Sequence, residues 1–177
     1  AKKEFEAVIG AAPGSDDAAR ARERLLDVEN RIKVAGYFKQ SSDYREKKEL
    51  DAALSVTLKI LAIEPENALA LYDMAVTYHI MEKKDEAIDF LKKAIKINPD
   101  YTDAHFQLGA IYELMGRNEE AVAEYERAAG KDKEESKKAE ERLEALARLK
   151  EAQGRSERIK AFLAVGDMQS ALQEAEA

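Results

Sequence analysis

A net charge of −7 over 177 residues, with a pI near 5.1, argues against a general nucleic-acid surface, because phosphate binding needs clustered cations that replace counterions. The chain has no cysteine, which excludes a disulfide framework and a cysteine-ligated metal, and its charge-free runs are too short to span a bilayer. With 45% hydrophobic and 37% charged residues and only three prolines and eight glycines, the composition suits soluble helices and predicts an all-α fold, more than about 75% helical.

In chain order, residues 1–14 read as the second helix of a pair. Ala1, Phe5, Val8 and Pro13 have the spacings of Ala87, Leu91, Ala94 and Pro99 further on. The chain is therefore expected to be a piece of something longer, and its compartment and any targeting segment are left open. Ser15, followed by Asp16 and Asp17, is an N-cap signal for a long linking helix over 15–35, with Ala18, Leu25, Val28, Ile32 and Ala35 on one face. Gly36 is expected to bend or break it.

Three copies of one pattern follow, over 34–67, 68–101 and 102–135. Tyr44, Tyr78 and Tyr112 stand 34 residues apart, as do Ala53, Ala87 and Ala121, and Pro65 and Pro99 keep the same interval. A sustained period of this length marks a stacked-repeat protein, in which one unit cannot bury its apolar face but neighbouring units can. Each copy reads as two helices. Leu71, Met74, Ala75 and Tyr78 form one apolar stripe, and Ala87, Leu91, Ala94 and Ile95 form another, with a polar turn between them that becomes Gly116-Arg117-Asn118-Glu119 in the next copy. The residue before each proline is pushed out of helix, so the second helix stops there, and Asn67 and Asp100 are placed to cap the next one. Ala53, Ala87 and Ala121 lack the bulk to hold two helices apart, so the pair can cross closely at that point, with the tyrosine of each unit filling the space beside it.

A second long linking helix is expected over 134–153, with Ala139, Leu143, Leu146 and Leu149 along one side and Glu134–Lys138 and Glu144–Arg148 as ion pairs, ending at Gly154. Residues 155–177 then read as a partial repeat, because Phe162, Gly166 and Ala171 fall where Tyr112, Gly116 and Ala121 fall. The two flanks also resemble each other: Gly36 precedes Ala53, and Gly154 precedes Ala171, by 17 residues. Either helices ending in glycine simply look alike, or a larger period runs through the parent protein.

The whole pattern resembles the tetratricopeptide repeat (TPR) family. The signature sites are carried by Tyr37, Leu71 and His105; Gln40, Met74 and Leu108; Ser41, Ala75 and Gly109; the three tyrosines; the three alanines; Thr57, Leu91 and Tyr125; Ile60, Ala94 and Ala128; and Pro65, Pro99 and Lys133. The first copy departs from the family in its leading helix, at Gln40 and Ser41. The resemblance implies a right-handed α-solenoid of antiparallel helix pairs that acts without catalysis or cofactor as a scaffold for a protein or peptide partner. Its ligand surface would be the concave side, here Phe38, Leu69, Tyr72, Asp73, Val76, His79, Ile80, Phe106, Gln107, Ala110 and Leu114, with Lys39, Ser42, Asp103 and Glu113 beside them. That stripe suits an extended or helical peptide with a few apolar anchors, or else a long flanking helix of the same chain.

The subgroup that holds a C-terminal carboxylate has Lys, Asn and Arg where this chain has Phe38, Ser42, Asp73, Asp103 and Gln107, which argues against that narrower role. The rival reading is a regulatory or substrate-recruiting domain of a larger enzyme. Within the chain itself, no phosphate loop occurs, His79 and His105 sit at unrelated repeat positions and are not expected to share a metal, and Glu119-Glu120 and Glu140-Glu141 lie on solvated faces. Repeats cut at both ends would leave apolar edges, through which the chain can self-associate.

Overall fold

The structure is a computed structural model that describes residues 2–130 and 133–176. Helix accounts for 84% of the described residues, and no strand occurs among them. The elements are α1 (Lys2–Ala11), α2 (Asp16–Glu46), α3 (Leu50–Ile63), α4 (Ala68–Ile80), α5 (Lys84–Ile97), α6 (Thr102–Leu114), α7 (Asn118–Ala128), α8 (Glu134–Ala164) and α9 (Met168–Glu176). They form two compact units, Ala1–Pro99 and Asp100–Ala177. The comparison of Ala1 with Ala87 falls outside the described residues, as do Lys131 and Asp132 near the end of the third copy and the terminal Ala177.

Four of the turns between paired helices are built alike. At each, a residue with positive φ leaves the helix, at Lys48, Glu82, Gly116 and Gly166. The amide one residue later donates back to an aromatic carbonyl: Glu49 to Tyr44, Lys83 to Tyr78, Arg117 to Tyr112 and Asp167 to Phe162, at 2.9, 3.0, 2.9 and 2.9 Å. These bonds satisfy carbonyls that the end of a helix otherwise leaves open. Only Gly116 and Gly166 adopt the left-handed conformation without a Cβ penalty; Lys48 and Glu82 carry it as strain.

Helix starts are less uniform. The Ser15 side chain accepts from the Ala18 N–H at 3.1 Å, and Asn67 accepts from Ala70 at 2.9 Å, so both are N-caps as their residue types predict. Asp100 is not. α6 begins at Thr102 with Tyr101 in the cap position and no side-chain bond there, because the chain stays non-helical one residue beyond Asp100. The second helices end at Ile63 and Ile97, ahead of Pro65 and Pro99.

The two expected linking helices do not end at their glycines. α2 and α8 are each continuous over 31 residues, with Gly36 and Gly154 inside them. What read as a linker over 15–35 or 134–153 is the leading part of a rod that goes on to supply the first helix of the next pair. A helical glycine costs only about 1 kcal/mol relative to alanine. Packing on both sides of Gly36 outweighs that: Ala18 and Ala21 are buried before it, and Val34 forms a core with Ile60 and Ala70, backed by Tyr37, Phe38, Leu61 and Ile63. A Cβ on Gly36 would meet nothing within 4 Å. Gly36→Ala is therefore expected to stabilise the chain by about 0.5–1 kcal/mol, read as a higher urea midpoint; a lower midpoint would show that the helix needs the glycine.

The close-crossing alanines are where the repeat requires them. Ala53, Ala87 and Ala121 are fully buried, and Ala171 nearly so. Beside them Tyr112 is buried and Tyr44 and Tyr78 are half-buried, the last stacked on Phe90 at 5.3 Å between ring centroids. The ion pairs Glu134–Lys138 and Glu144–Arg148 form on the exposed side of α8 at 3.7 and 3.2 Å.

Candidate peptide-binding surface

In Ala1–Pro99 the expected ligand residues lie mostly on α4. Leu69 and Ile80 are exposed, while Tyr72, Val76 and His79 are half-buried. Phe38, on α2, is drawn partly into the Val34–Ile60–Ala70 core. Asp73 departs most from expectation. It is buried, and its carboxylate is consumed inside the fold: Ser41 and Thr57 donate to Oδ2 at 2.6 and 2.8 Å, and the Arg45 guanidinium pairs with Oδ1.

The remaining contacts close this network. The Ser41 and Thr57 hydroxyls lie 3.0 Å apart, Arg45 also donates to Ser41 at 3.1 Å, and Thr77 returns its hydroxyl to the Asp73 carbonyl at 2.9 Å. Ser41, Thr57 and Thr77 are fully buried, so each needs a partner. The network ties α2, α3 and α4 together, and it explains why the first copy departs from the family at Ser41. A hydroxyl at the small-residue position is tolerated because the next helix supplies a carboxylate to receive it. Asp73 is thus a structural residue and is not available to a ligand.

Sequence reasoning missed this cluster, although a signal was present. Ser41 and Thr57 occupy core positions of one copy, and the next copy carries an acid at an inner position of its first helix. Polar residues that share core positions in adjacent copies point to a common hydrogen-bonded group.

In Asp100–Ala177 the expected residues stand on α6. Phe106, Gln107 and Ala110 are half-buried and Leu114 is exposed. Phe106 is tilted against Tyr125 with centroids 5.7 Å apart. The Tyr125 hydroxyl donates to Glu113 at 2.8 Å, and Arg142 reaches the same carboxylate at 3.3 Å. Burial, then the bond to Glu113, pushes the Tyr125 phenol well above its usual range. Glu113 is thereby held by its own unit.

The two histidines have separate surroundings. His105 is buried with Nδ1 2.7 Å from the Glu124 carboxylate, which also pairs with Arg127. His79 is half-buried, and its shielded Nδ1 has no partner. Among the described residues, no group of three or more His, Cys, Asp or Glu side chains is placed to hold a metal ion, and no helix is long and apolar enough to cross a membrane.

Antiparallel helix pairs joined by one recurring left-handed turn, with a buried alanine at each crossing, define an all-α solenoid protein built from helical repeats. Residues 68–101 and residues 90–123 each match a profile of the tetratricopeptide repeat, and the chain belongs to the tetratricopeptide repeat family. No curated protein matches it in sequence.

Solved structures share the fold at low identity. The first TPR of Spaghetti (RPAP3) bound to the HSP90 peptide SRMEEVD is 22% identical, with a TM-score of 0.59 over 67% of this chain and 93% of that one. MamA is 24% identical, with a TM-score of 0.57 over 91% and 88% of the two chains. The Sgt2 TPR domain from Aspergillus fumigatus is 23% identical, with a TM-score of 0.59 over 69% and 82%.

Proposed function

We propose that this chain is a non-catalytic scaffold that binds an apolar peptide or helical segment of a partner protein on the inner surface of its repeats. The observation that carries this reading is the row of accessible apolar and aromatic side chains along α4, Leu69, Tyr72, Val76 and Ile80, with Phe106, Ala110 and Leu114 at matching positions of α6. Aromatic and aliphatic anchors of this kind supply most of the affinity in peptide recognition. Repeats of the same fold in RPAP3 hold an HSP90 peptide, which supports a peptide as the class of ligand.

The chemistry here favours a different peptide. An acidic peptide ending in a carboxylate needs free cations, whereas Arg45 is already committed to Asp73, and Phe38, Asp103 and Gln107 offer none. The peptide SRMEEVD is therefore expected not to bind measurably.

Selection from a random-peptide display library, followed by titration of the selected peptide, tests the reading. Tyr72→Ala and Phe106→Ala are each expected to weaken binding about tenfold, or 1–2 kcal/mol. Lys93→Glu, on an exposed part of α5, should leave it unchanged. If both alanine variants bind as the parent does while Lys93→Glu abolishes binding, the inner surface is not the site.

A further inference from the structure

We infer that the tip of the α8–α9 hairpin is a self-association surface, through which two copies of this chain meet about a two-fold axis. Thirteen residues, Ala161 to Gln173, contain one charged side chain, Asp167, in a chain that is 37% charged. Its carboxylate is turned inward, accepting the Ser170 N–H at 3.0 Å in the first turn of α9. Around it Leu163, Val165, Met168 and Leu172 are 47%, 79%, 68% and 61% exposed.

The α2–α3 hairpin shows what such a tip looks like when water covers it. Its first helix is also 31 residues long, Lys48 takes the left-handed position that Gly166 takes, and Ala53 is buried at the crossing as Ala171 is. Over the matching residues 43–55 it carries Asp43, Arg45, Glu46, Lys47, Lys48, Glu49 and Asp51. The backbone device is the same, but one tip holds seven charges and the other holds one. Loss of charge with retention of exposed aliphatic side chains is the mark of a surface that another surface covers.

The remaining question is which surface covers it. On α2–α3 the neighbouring helix is α4, tied down by Asp73 through Ser41, Thr57 and Arg45. The corresponding positions on α8–α9 are Ile159, Ala175 and Leu163. A copy of α4 exchanged from another molecule would bury an unpaired carboxylate there, which is costly, so the hairpin does not accept α4. An anionic lipid surface is disfavoured by the chain's net charge of −7. A second α8–α9 tip meets both conditions: it is apolar, and it brings no like charges into contact when a two-fold axis places the patch against itself. The α1 end carries no comparable patch, because Lys2, Lys3, Glu4 and Glu6 are interspersed with its apolar residues.

The full chain should show a monomer–dimer equilibrium in sedimentation velocity. Val165→Glu and Val165→Lys sit at a position with no packing role, so each should fold with unchanged circular dichroism and weaken the dimer at least tenfold. Mixing the two should restore it, because opposite charges then meet across the axis, an effect that a merely structural role for Val165 would not produce. Because the chain lacks cysteine, Gln169→Cys also reports on the contact directly. It should form a disulfide-linked dimer under oxidation far faster than Asp89→Cys on α5. A parent chain that stays monomeric at its highest soluble concentration would overturn the inference, as would dimerisation unaffected by both Val165 variants or equal cross-linking at Gln169 and Asp89.

Discussion

Asp73→Ala is expected to destabilise the first unit by about 3–5 kcal/mol, the cost of leaving a buried ion pair half-made. Removing the carboxylate strands the Arg45 guanidinium, whose side chain is only 19% exposed, together with the fully buried hydroxyls of Ser41 and Thr57. The penalty comes from the partners that lose their acceptor more than from the pair itself. Asp73→Asn should cost less, since an amide oxygen still accepts from both hydroxyls. Replacing the set together, with Asp73→Leu, Ser41→Ala, Thr57→Val and Arg45→Met, should recover most of the loss, because well-packed apolar groups often match a buried ion pair in stability. Urea unfolding of the four proteins measures this. A loss below about 1 kcal/mol for Asp73→Ala would mean that water solvates the cluster and that the network does not hold α2, α3 and α4 together.

Gly109→Ala is expected to cost about 1–3 kcal/mol, although alanine is the better helix former by about 1 kcal/mol. A Cβ at this position would stand 2.8 Å from Cδ1 and 2.9 Å from Cε1 of Tyr125. That ring cannot step aside, because it is fully buried and its hydroxyl is bonded to Glu113. Glycine is required here for close approach, not for its backbone freedom. In a Tyr125→Leu background the space opens, and the same substitution should become neutral or stabilising. Equal cost in both backgrounds would place the strain elsewhere. The opposite sign expected at Gly36 makes the contrast internal to one chain.

The period was legible because close packing fixes it. A buried alanine recurs at Ala53, Ala87 and Ala121, and an aromatic carbonyl recurs in the turn, so residue type and spacing together encode a helix pair. Where helices end was less legible. Gly36 and Gly154 carry a weak local preference, and burial of Val34 before one and Ile159 after the other is a tertiary effect that no local pattern reports. Of the expected ligand residues, Leu69, Tyr72, Val76 and Ile80 are accessible because apolar groups need no specific partner. Asp73 looked equally accessible by register. Its fate was set by three donors from α2 and α3, 16 to 32 residues away in the chain.

The continuity of α2 has a mechanical meaning. A rod of 31 residues is about 46 Å long. Its first half is clasped by α1, through Lys2–Glu29 and the burial of Ala18 and Ala21, and its second half by α3, through Ser41–Thr57. One unbroken ladder of backbone bonds therefore runs through two packing environments, and a load applied to α1 is delivered to α3 along the helix axis with no hinge to absorb it. The pair that begins at α3 is in this sense braced by a beam rather than tethered by a cord.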